Sequence, residues 1–283
     1  MDIENTFESI EDDLTERQKN SRFVERNSEC QSAINELREI EEFLERFGYL
    51  TFGRDFVIGN PICFSPNSIV TSLQFTMGSV IACCEGACIA DANTLLRKYR
   101  DDLFFYLYLA VYNNLDKDSN SAKSMATQIT KWLSNDMKNF QISQVLKAIA
   151  TAPQLRDAIS KYFLEDSFRK IGDTLNNYVH GNGYSYYNRY ASAYRDSELI
   201  TELKLLGKYA RYMTVVFLLL LVFCSPRSVM AEDYIDYLDF NEIPPEGSQY
   251  WVAPFVEDFV KNNISLIDAN CIDYLRENTP MKF

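Results

Sequence analysis

Two stretches of sequence decide the fold of this chain: Leu103-Phe-Phe-Tyr-Leu-Tyr-Leu-Ala-Val-Tyr112 and Met213-Thr-Val-Val-Phe-Leu-Leu-Leu-Leu-Val-Phe-Cys224. Neither contains a charged residue, and neither alternates polar with apolar side chains as a half-exposed strand would. A helix that is apolar on every side has to be surrounded by other apolar groups. The two stretches therefore predict central helices of an all-α bundle.

The overall composition also favours helices over sheets. Apolar residues make up 47% of the 283 residues, which is enough for a real core. Phe (19) and Tyr (18) are abundant, whereas Gly (10) and Pro (8) are scarce. Because a β-sandwich or barrel needs many turns rich in Gly and Pro, we expect an all-α protein.

The net charge is −12, and the acidic residues are unevenly spread. Residues 1–47 hold fourteen acids and six bases, and residues 232–246 hold six acids and no base. Residues 154–211 hold nine bases and seven acids. Binding along a nucleic-acid backbone requires clustered Lys and Arg. The balance therefore argues against a protein that coats DNA, but it allows a local phosphate site within 154–211.

The seven cysteines indicate a reducing compartment. Their number is odd, they show no disulfide-framework spacing, and the N-terminal residues are acidic, unlike a secretory signal. We therefore expect a cytoplasmic protein. Cys83, Cys84 and Cys88 lie close in sequence, but zinc needs four ligands and the chain has one histidine. We interpret them as small core residues and expect neither a metal nor a cofactor.

The apolar stretch 213–224 raises the alternative of a membrane segment. Its twelve residues fall short of the about 20 that cross a bilayer, and Arg211 and Arg227 flank it. We therefore prefer a core helix. Membrane association through 212–230 is the third hypothesis for the role of the protein.

Changes in composition divide the chain into three parts. We expect an acidic helical arm with an irregular connector over 1–67, the bundle over 68–230, and an acidic linker with a C-terminal helix over 231–283. The connector contains β-branched and aromatic residues between Gly and Pro, which predicts a short strand or a hairpin. The C-terminal helix is predicted over 252–264, followed by a short tail.

Two boundaries inside these parts are also predicted. A helix from Cys30 is expected to end at Gly48, and its apolar residues recur in steps of three and four: Ala33, Leu37, Ile40, Leu44 and Phe47. A long helical region is expected from Ser68 to Asn113. The charged residues Arg97–Asp102 are predicted to form a turn within it.

Leu175-Asn-Asn-Tyr-Val-His180-Gly-Asn-Gly183 contains the only histidine of the chain. Asn176 lies one helical turn before His180, so the two side chains share a helix face. Gly181 is predicted to end the helix, which puts His180 at the negative end of the helix dipole. A histidine there can hold an anion or exchange a proton with a substrate. The alternative is a histidine that only caps the last carbonyl groups.

This motif resembles the Arg-(polar)-x3-His motif of HEPN-type helical domains, in which it lies on a core helix of a four- or five-helix bundle. A second stretch, Asn93-Thr-Leu-Leu-Arg97-Lys-Tyr-Arg-Asp101 with the aromatic run after it, is similar to the first core helix of an uncharacterised HEPN-like group. The resemblance covers roughly residues 70–225. It implies a HEPN-like helical bundle with additional N- and C-terminal helices.

Many HEPN domains are metal-independent endoribonucleases of toxin–antitoxin and antiphage systems. The resemblance therefore implies a bacterial-type protein that cleaves or binds RNA, with a homodimer or another protein as a further partner. His180 would be the acid/base or phosphate contact, and Asn176 would lie beside it. Leu175 stands where the family has its Arg. Loss of a donor aimed at developing charge typically costs about 10²–10³ in rate.

Another arginine would then have to supply the guanidinium. We choose Arg97, with Asp101 one turn later, while Arg100 and Arg169 are alternatives. The pair could equally be an ordinary i,i+4 ion pair on the surface. The predicted catalytic residues are thus His180, Asn176, Arg97 and Asp101, and the predicted RNA contacts are Asn177, Tyr184 and Arg189.

Two alternatives to RNA chemistry remain open. The tyrosines after residue 183 could be packed between two helices instead of stacking on bases. The whole chain could be a non-catalytic helical interaction or regulatory module that binds a protein through its acidic ends. No Gly-rich phosphate loop, nucleophile elbow or dinucleotide fingerprint is present, which argues against most other enzyme classes.

Overall fold

The computed structural model describes residues 3–57, 63–136, 142–162, 164–184, 186 and 194–283. Most of these residues are helical, which confirms the predicted all-α class. The helices are α1 (Ile3–Arg26), α2 (Ser28–Thr51), α3 (Asn67–Glu85), α4 (Ile89–Asn114), α5 (Asn120–Leu133), α6 (Ile142–Ile149), α7 (Pro153–Lys161), α8 (Leu164–His180), α9 (Asp196–Cys224), α10 (Asp233–Asp239), α11 (Pro254–Asn263) and α12 (Cys271–Asn278).

A two-stranded hairpin interrupts the helices. Its strands are β1 (Phe56–Val57) and β2 (Cys63–Phe64), and they pair antiparallel with Phe56 opposite Phe64. Of the two alternatives predicted for the connector, a short strand or a hairpin, the structure has the hairpin.

The chain forms two compact units, each assembled from three separate segments. The first unit contains Met1–Glu42, Gln74–Arg100 and Ser167–Arg211. The second contains Phe43–Leu73, Asp101–Asp166 and Tyr212–Phe283. These boundaries fall inside α2, α3, α4, α8 and α9, whereas composition divides the chain near residues 67 and 230.

The core of the second unit contains both apolar stretches. All ten residues of Leu103–Tyr112 are buried, and so is every residue of 213–224 except Phe223. The ring of Tyr106 packs edge-on against that of Phe217, with centroids 5.3 Å apart, and Phe47 lies 6.2 Å and 6.1 Å from these two rings. The prediction of two helices buried on all sides is confirmed.

Helix α9 is the one described helix that passes a membrane test by length and composition. It has 29 residues, and 72% of its most apolar window is buried inside the protein. Such burial is typical of a core helix.

The helix predicted to follow Cys30 forms as α2, but it does not end where expected. Its five seam residues are all buried: Ala33, Leu37, Ile40, Leu44 and Phe47. The helix continues three residues beyond Gly48 to Thr51, so Gly48 as a helix end is wrong. A Cβ at Gly48 would lie 3.4 Å from Asn67 Oδ1 and 3.6 Å from Val70 Cγ1. These are ordinary van der Waals distances, so the packing would also accept a Cβ at this position.

The break in the region 68–113 also lies elsewhere than predicted. The charged residues Arg97–Asp102 lie in the middle of α4, and the chain turns between α3 and α4. There Ala87 has a φ of 55°, and Cys88 N donates to Cys83 O at 2.7 Å. A left-handed residue with this 6→1 bond is the Schellman helix end. Ala87 fills the position that glycine usually takes.

The ends of the chain are more structured than their composition suggests. In α1, Asn20 and Val24 are buried, and Ser21 Oγ donates to Glu85 O at 3.0 Å, so this half of the acidic arm packs within the first unit. The predicted C-terminal helix forms as α11. Two further helices, α10 before it and α12 after it, were not predicted.

Candidate functional site

The end of α8 has a fixed backbone geometry. Asn182 N donates to Asn177 O at 3.0 Å, Gly181 N donates to Tyr178 O at 3.4 Å, and Gly181 has a φ of 56°. This is a Schellman motif with glycine in the left-handed position. The predicted helix end at Gly181 is confirmed, and His180 is the last residue of the helix.

The His180 side chain is exposed at this helix end. The carbonyl groups of the last turn carry the negative end of the helix dipole, which favours a cationic group there. Next to it, the Asn177 side chain is half-buried, and its Oδ1 accepts from Asn182 Nδ2 at 3.4 Å. The Schellman bonds already satisfy the carbonyl groups of Asn177 and Tyr178, so capping those two carbonyls does not require the imidazole.

Asn176 lies one turn before His180 on α8, as predicted. Its Oδ1 is buried and has no hydrogen-bond partner among the residues that the structure describes. A buried acceptor without a donor costs about 1–3 kcal/mol. A donor that reached this amide would therefore stabilise the protein.

An arginine does lie against α8, but it is Arg100. Its side chain is buried, and a Cβ built on Gly172 would overlap its Nη1 and lie 3.4 Å from its Cζ. Gly172 precedes Asn176 by one turn, so the guanidinium lies beside the helix face that Asn176 and His180 share. From Gly172 to His180 the helix rises about 12 Å at 1.5 Å per residue. Along the axis of α8, the Arg100 guanidinium is therefore nearer to Asn176 than to His180.

Arg97 and Asp101 lie one turn apart on α4, and both side chains are half-buried. Arg169, the third arginine considered, is exposed on α8 and pairs with Asp173 at 3.8 Å. The role predicted for Arg97 and Asp101 stays a prediction. The Nε atom of Arg97 is nonetheless buried, so this side chain differs from an arginine on a solvated helix face.

The tyrosines after the motif divide between two environments. Tyr184 is 81% exposed. Tyr186 packs edge-on against Tyr178 of α8, with ring centroids 5.2 Å apart. Both environments predicted for this stretch, exposed and packed, therefore occur. Arg189, the third predicted RNA contact, lies outside the described residues.

Sequence reasoning did not single out the pair of Arg100 and Gly172. An isolated glycine inside a helix, as Gly172 is in α8, often has a packing reason, and this signal was present. Its partner could not be identified from sequence, because the two residues are 72 positions apart. Because Arg97–Asp102 was predicted to form a turn, Arg100 was not expected to be a buried residue inside a helix.

The cysteines show no metal-site geometry in the described part of the chain. No group of three or more His, Cys, Asp or Glu residues there could hold a metal ion. The six cysteines whose side chains are described are free thiols: Cys30, Cys83, Cys84, Cys88, Cys224 and Cys271. Burial raises the pKa of the Cys84 and Cys224 thiols well above their ordinary value, so these thiols stay protonated.

No protein-family model, curated protein or solved structure matches this chain.

Proposed function

We propose that this protein is a HEPN-like helical protein that binds single-stranded RNA at the end of α8. The observation that carries the proposal is the exposure of His180 and Tyr184 on either side of one hydrogen-bonded turn. An imidazole can donate to a phosphate oxygen, and a phenol ring can stack on a base. Together the two groups provide a phosphate contact and a stacking surface for an unpaired nucleotide.

Binding is better supported than cleavage. Leu175, at the position of the family's arginine, is fully buried in the core and cannot contact a phosphate. The buried guanidinium of Arg100 lies beside Gly172, about two helical turns before His180. Efficient cleavage needs a donor close to the charge that develops on the phosphate.

The biological role and the cellular compartment of the protein are part of the same proposal. The resemblance to HEPN domains favours a bacterial toxin or phage-defence role, in which RNA is the target. The odd number of cysteines and the lack of disulfide-framework spacing support a reducing compartment, and the proposed location is the cytoplasm.

The test is RNA affinity, measured by fluorescence anisotropy with a labelled single-stranded 12-mer. Stacking on one base contributes about 1–3 kcal/mol, so Tyr184→Ala should weaken binding at least about five-fold. His180→Ala should weaken it as well. Tyr49→Ala is the matched control, since Tyr49 is also highly exposed at 72%, and it should bind as wild type does. Equal affinities for all four proteins would refute the proposal.

The second candidate function is metal-independent RNA cleavage. It is favoured by the buried guanidinium of Arg100 beside the helix face that carries Asn176 and His180. The same 12-mer, incubated with excess protein and EDTA, distinguishes the two functions. The binding proposal expects intact RNA. Cleavage that disappears in both His180→Ala and Arg100→Lys would select the second candidate instead.

A further inference from the structure

Residues 232–250, here called the docking segment, form a loop that is closed at its base. Ala231 N donates to Trp251 O at 2.8 Å, and Ala253 N donates to Val229 O at 2.9 Å. The buried Arg54 also stabilises the point where the two ends of the loop meet, because both of its Nη atoms donate to Met230 O at 3.2 Å. The docking segment therefore projects from a fixed frame within the second unit.

The docking segment exposes an unusual amount of apolar surface. No residue of its helix, α10, is buried. Nine large apolar or aromatic side chains are exposed in the described part of the chain, and five of them lie here: Tyr237, Leu238, Phe240, Ile243 and Tyr250. Phe240 is 77% exposed and Ile243 is 91% exposed. A cluster of exposed apolar side chains, as opposed to scattered ones, marks an interaction surface.

The backbone holds these side chains in place. Helix α10 ends in a Schellman motif, in which Glu242 N donates to Tyr237 O at 2.8 Å and Asn241 has a φ of 56°. After Pro244 and Pro245, the buried Ser248 closes a turn through its Oγ, which donates to Pro245 O at 2.7 Å. An ordered segment loses less conformational entropy on binding than a flexible one does.

The charge of the docking segment defines its partner. Residues 232–246 carry six acids and no base. Lys282 is a base beside the segment, and it lies against Gly247, where a Cβ would be 2.6 Å from its Nζ. Acids at this density repel nucleic-acid phosphates and anionic lipid headgroups. They also repel the same segment of a second copy.

We infer that the docking segment binds a partner protein in an apolar groove bordered by Lys and Arg. Tyr237 and Leu238 of α10, with Phe240 after it, would enter the groove, as apolar residues of amphipathic helices do. The surrounding carboxylates would face the basic rim, which gives specificity and speeds association. The docking segment shares no residue with the α8 end, so it is independent of RNA binding.

The test uses the full chain and two synthetic helical peptides as probes. Both peptides carry the same leucine face, bordered by lysines in one and by glutamates in the other. The Lys peptide should bind wild type at least ten-fold more tightly than the Glu peptide. Phe240→Ser with Ile243→Ser should weaken Lys-peptide binding at least ten-fold. Asp236→Asn with Asp239→Asn and Glu242→Gln should do the same at 150 mM salt.

Matched controls separate this site from general attraction to an acidic protein. Glu25→Gln with Glu42→Gln and Glu45→Gln removes the same charge from exposed positions outside the docking segment. Phe52→Ser removes an equally exposed ring. Both controls should bind the Lys peptide within two-fold of wild type, and circular dichroism should show all variants folded.

Three results would overturn the inference. Controls that weaken binding as much as the docking-segment variants would show attraction without a site. Equal affinity for the two peptides would remove the role of charge. A wild-type dimer in light scattering that Phe240→Ser with Ile243→Ser converts to monomer would make a second copy the occupant. The protein variants His180→Ala and Tyr184→Ala should bind the Lys peptide with the same affinity as wild type.

Discussion

At the scale of single residues, Gly172 decides how closely the Arg100 guanidinium approaches α8. Any side chain there would occupy the position of Nη1. Arg100 is buried, so its guanidinium could move aside only by displacing the groups packed around it. Glycine at this helical position is therefore explained by packing, although it is a poor helix former.

The packing of Arg100 against Gly172 predicts that Gly172→Ala destabilises the wild type but stabilises a variant that lacks the Arg100 side chain. Gly172→Ala should lower the free energy of unfolding by about 1–2 kcal/mol in wild type, because displacement of a buried charged group outweighs the better helix propensity of Ala. In an Arg100→Ala background the same change should raise it by up to about 1 kcal/mol. Urea unfolding of the four proteins measures both effects. The same effect in both backgrounds would contradict the assigned packing.

Tyr108 predicts a loss of stability at alkaline pH. Its hydroxyl is buried and donates to Gln128 Oε1 at 3.0 Å, and burial raises its pKa to about 12 from an ordinary value of 10. Above pH 10 the unfolded chain releases this proton while the folded protein keeps it. The contribution of Tyr108 to the free energy of unfolding is therefore complete below pH 10 and is lost as the pH rises towards 12.

Tyr108→Phe isolates this contribution. Near neutral pH the variant should be about 1 kcal/mol less stable than wild type, because Gln128 loses its donor. Since Phe cannot ionise, the difference should shrink between pH 10 and pH 12. Urea unfolding of both proteins at pH 8, 10 and 11 would detect the change. A difference that stays constant across these pH values would refute the mechanism.

The candidate site could be predicted from sequence only as far as it is local. The end of α8 at Gly181 and the position of His180 depend on a few neighbouring residues, and both were found. The approach of Arg100 to Gly172 depends on how α4 and α8 pack, which no local pattern records. Arg97 was preferred to Arg100 because an acid, Asp101, follows it one turn later and an aromatic run comes next.

At the scale of elements, uniform hydrophobicity predicted burial well. Leu103–Tyr112 and Met213–Cys224 are apolar on every side, so their helices are buried in the core, and they are the best-predicted parts of the fold. Helix ends were predicted less well. Gly48 packs inside a helix although glycine usually ends one, whereas Ala87 ends a helix although alanine favours helix interiors.

Phe217 gives the most direct test of this core. Its ring is buried and packs edge-on against Tyr106, so Phe217→Ala should lower the free energy of unfolding by about 3–5 kcal/mol. The exposed Phe52 serves as control, and Phe52→Ala should change stability by less than about 0.5 kcal/mol. Urea unfolding monitored by circular dichroism compares them. A similar small effect for both would contradict the burial of α9 in the core.

At the scale of the whole molecule, sequence composition and three-dimensional organisation divide the chain differently. Composition changes near residues 67 and 230, where acidic segments meet apolar ones. The two compact units instead draw on segments that are distant in sequence, and their boundaries fall within single helices. Composition cannot record this division, because one helix can contribute to both units without any change in residue type.

The charge distribution bears on both of the proposed partners. The net charge of −12 disfavours general binding of nucleic acids, so the proposed RNA binding would have to be local to His180 and Tyr184. The docking segment is acidic, and acidic residues favour a basic protein as the proposed partner. An acidic protein with one small RNA site should bind RNA weakly and with a shallow salt dependence, because few phosphates are contacted.

The measurement that tests the RNA proposal most directly is photo-crosslinking of a 4-thiouridine 12-mer to the full chain, mapped by mass spectrometry. The account predicts that adducts concentrate in the peptide containing residues 176–184 and that Tyr184→Ala removes most of them, while Tyr49→Ala leaves them unchanged. Adducts confined to other peptides, or equally abundant in both variants and wild type, would contradict RNA binding at the end of α8.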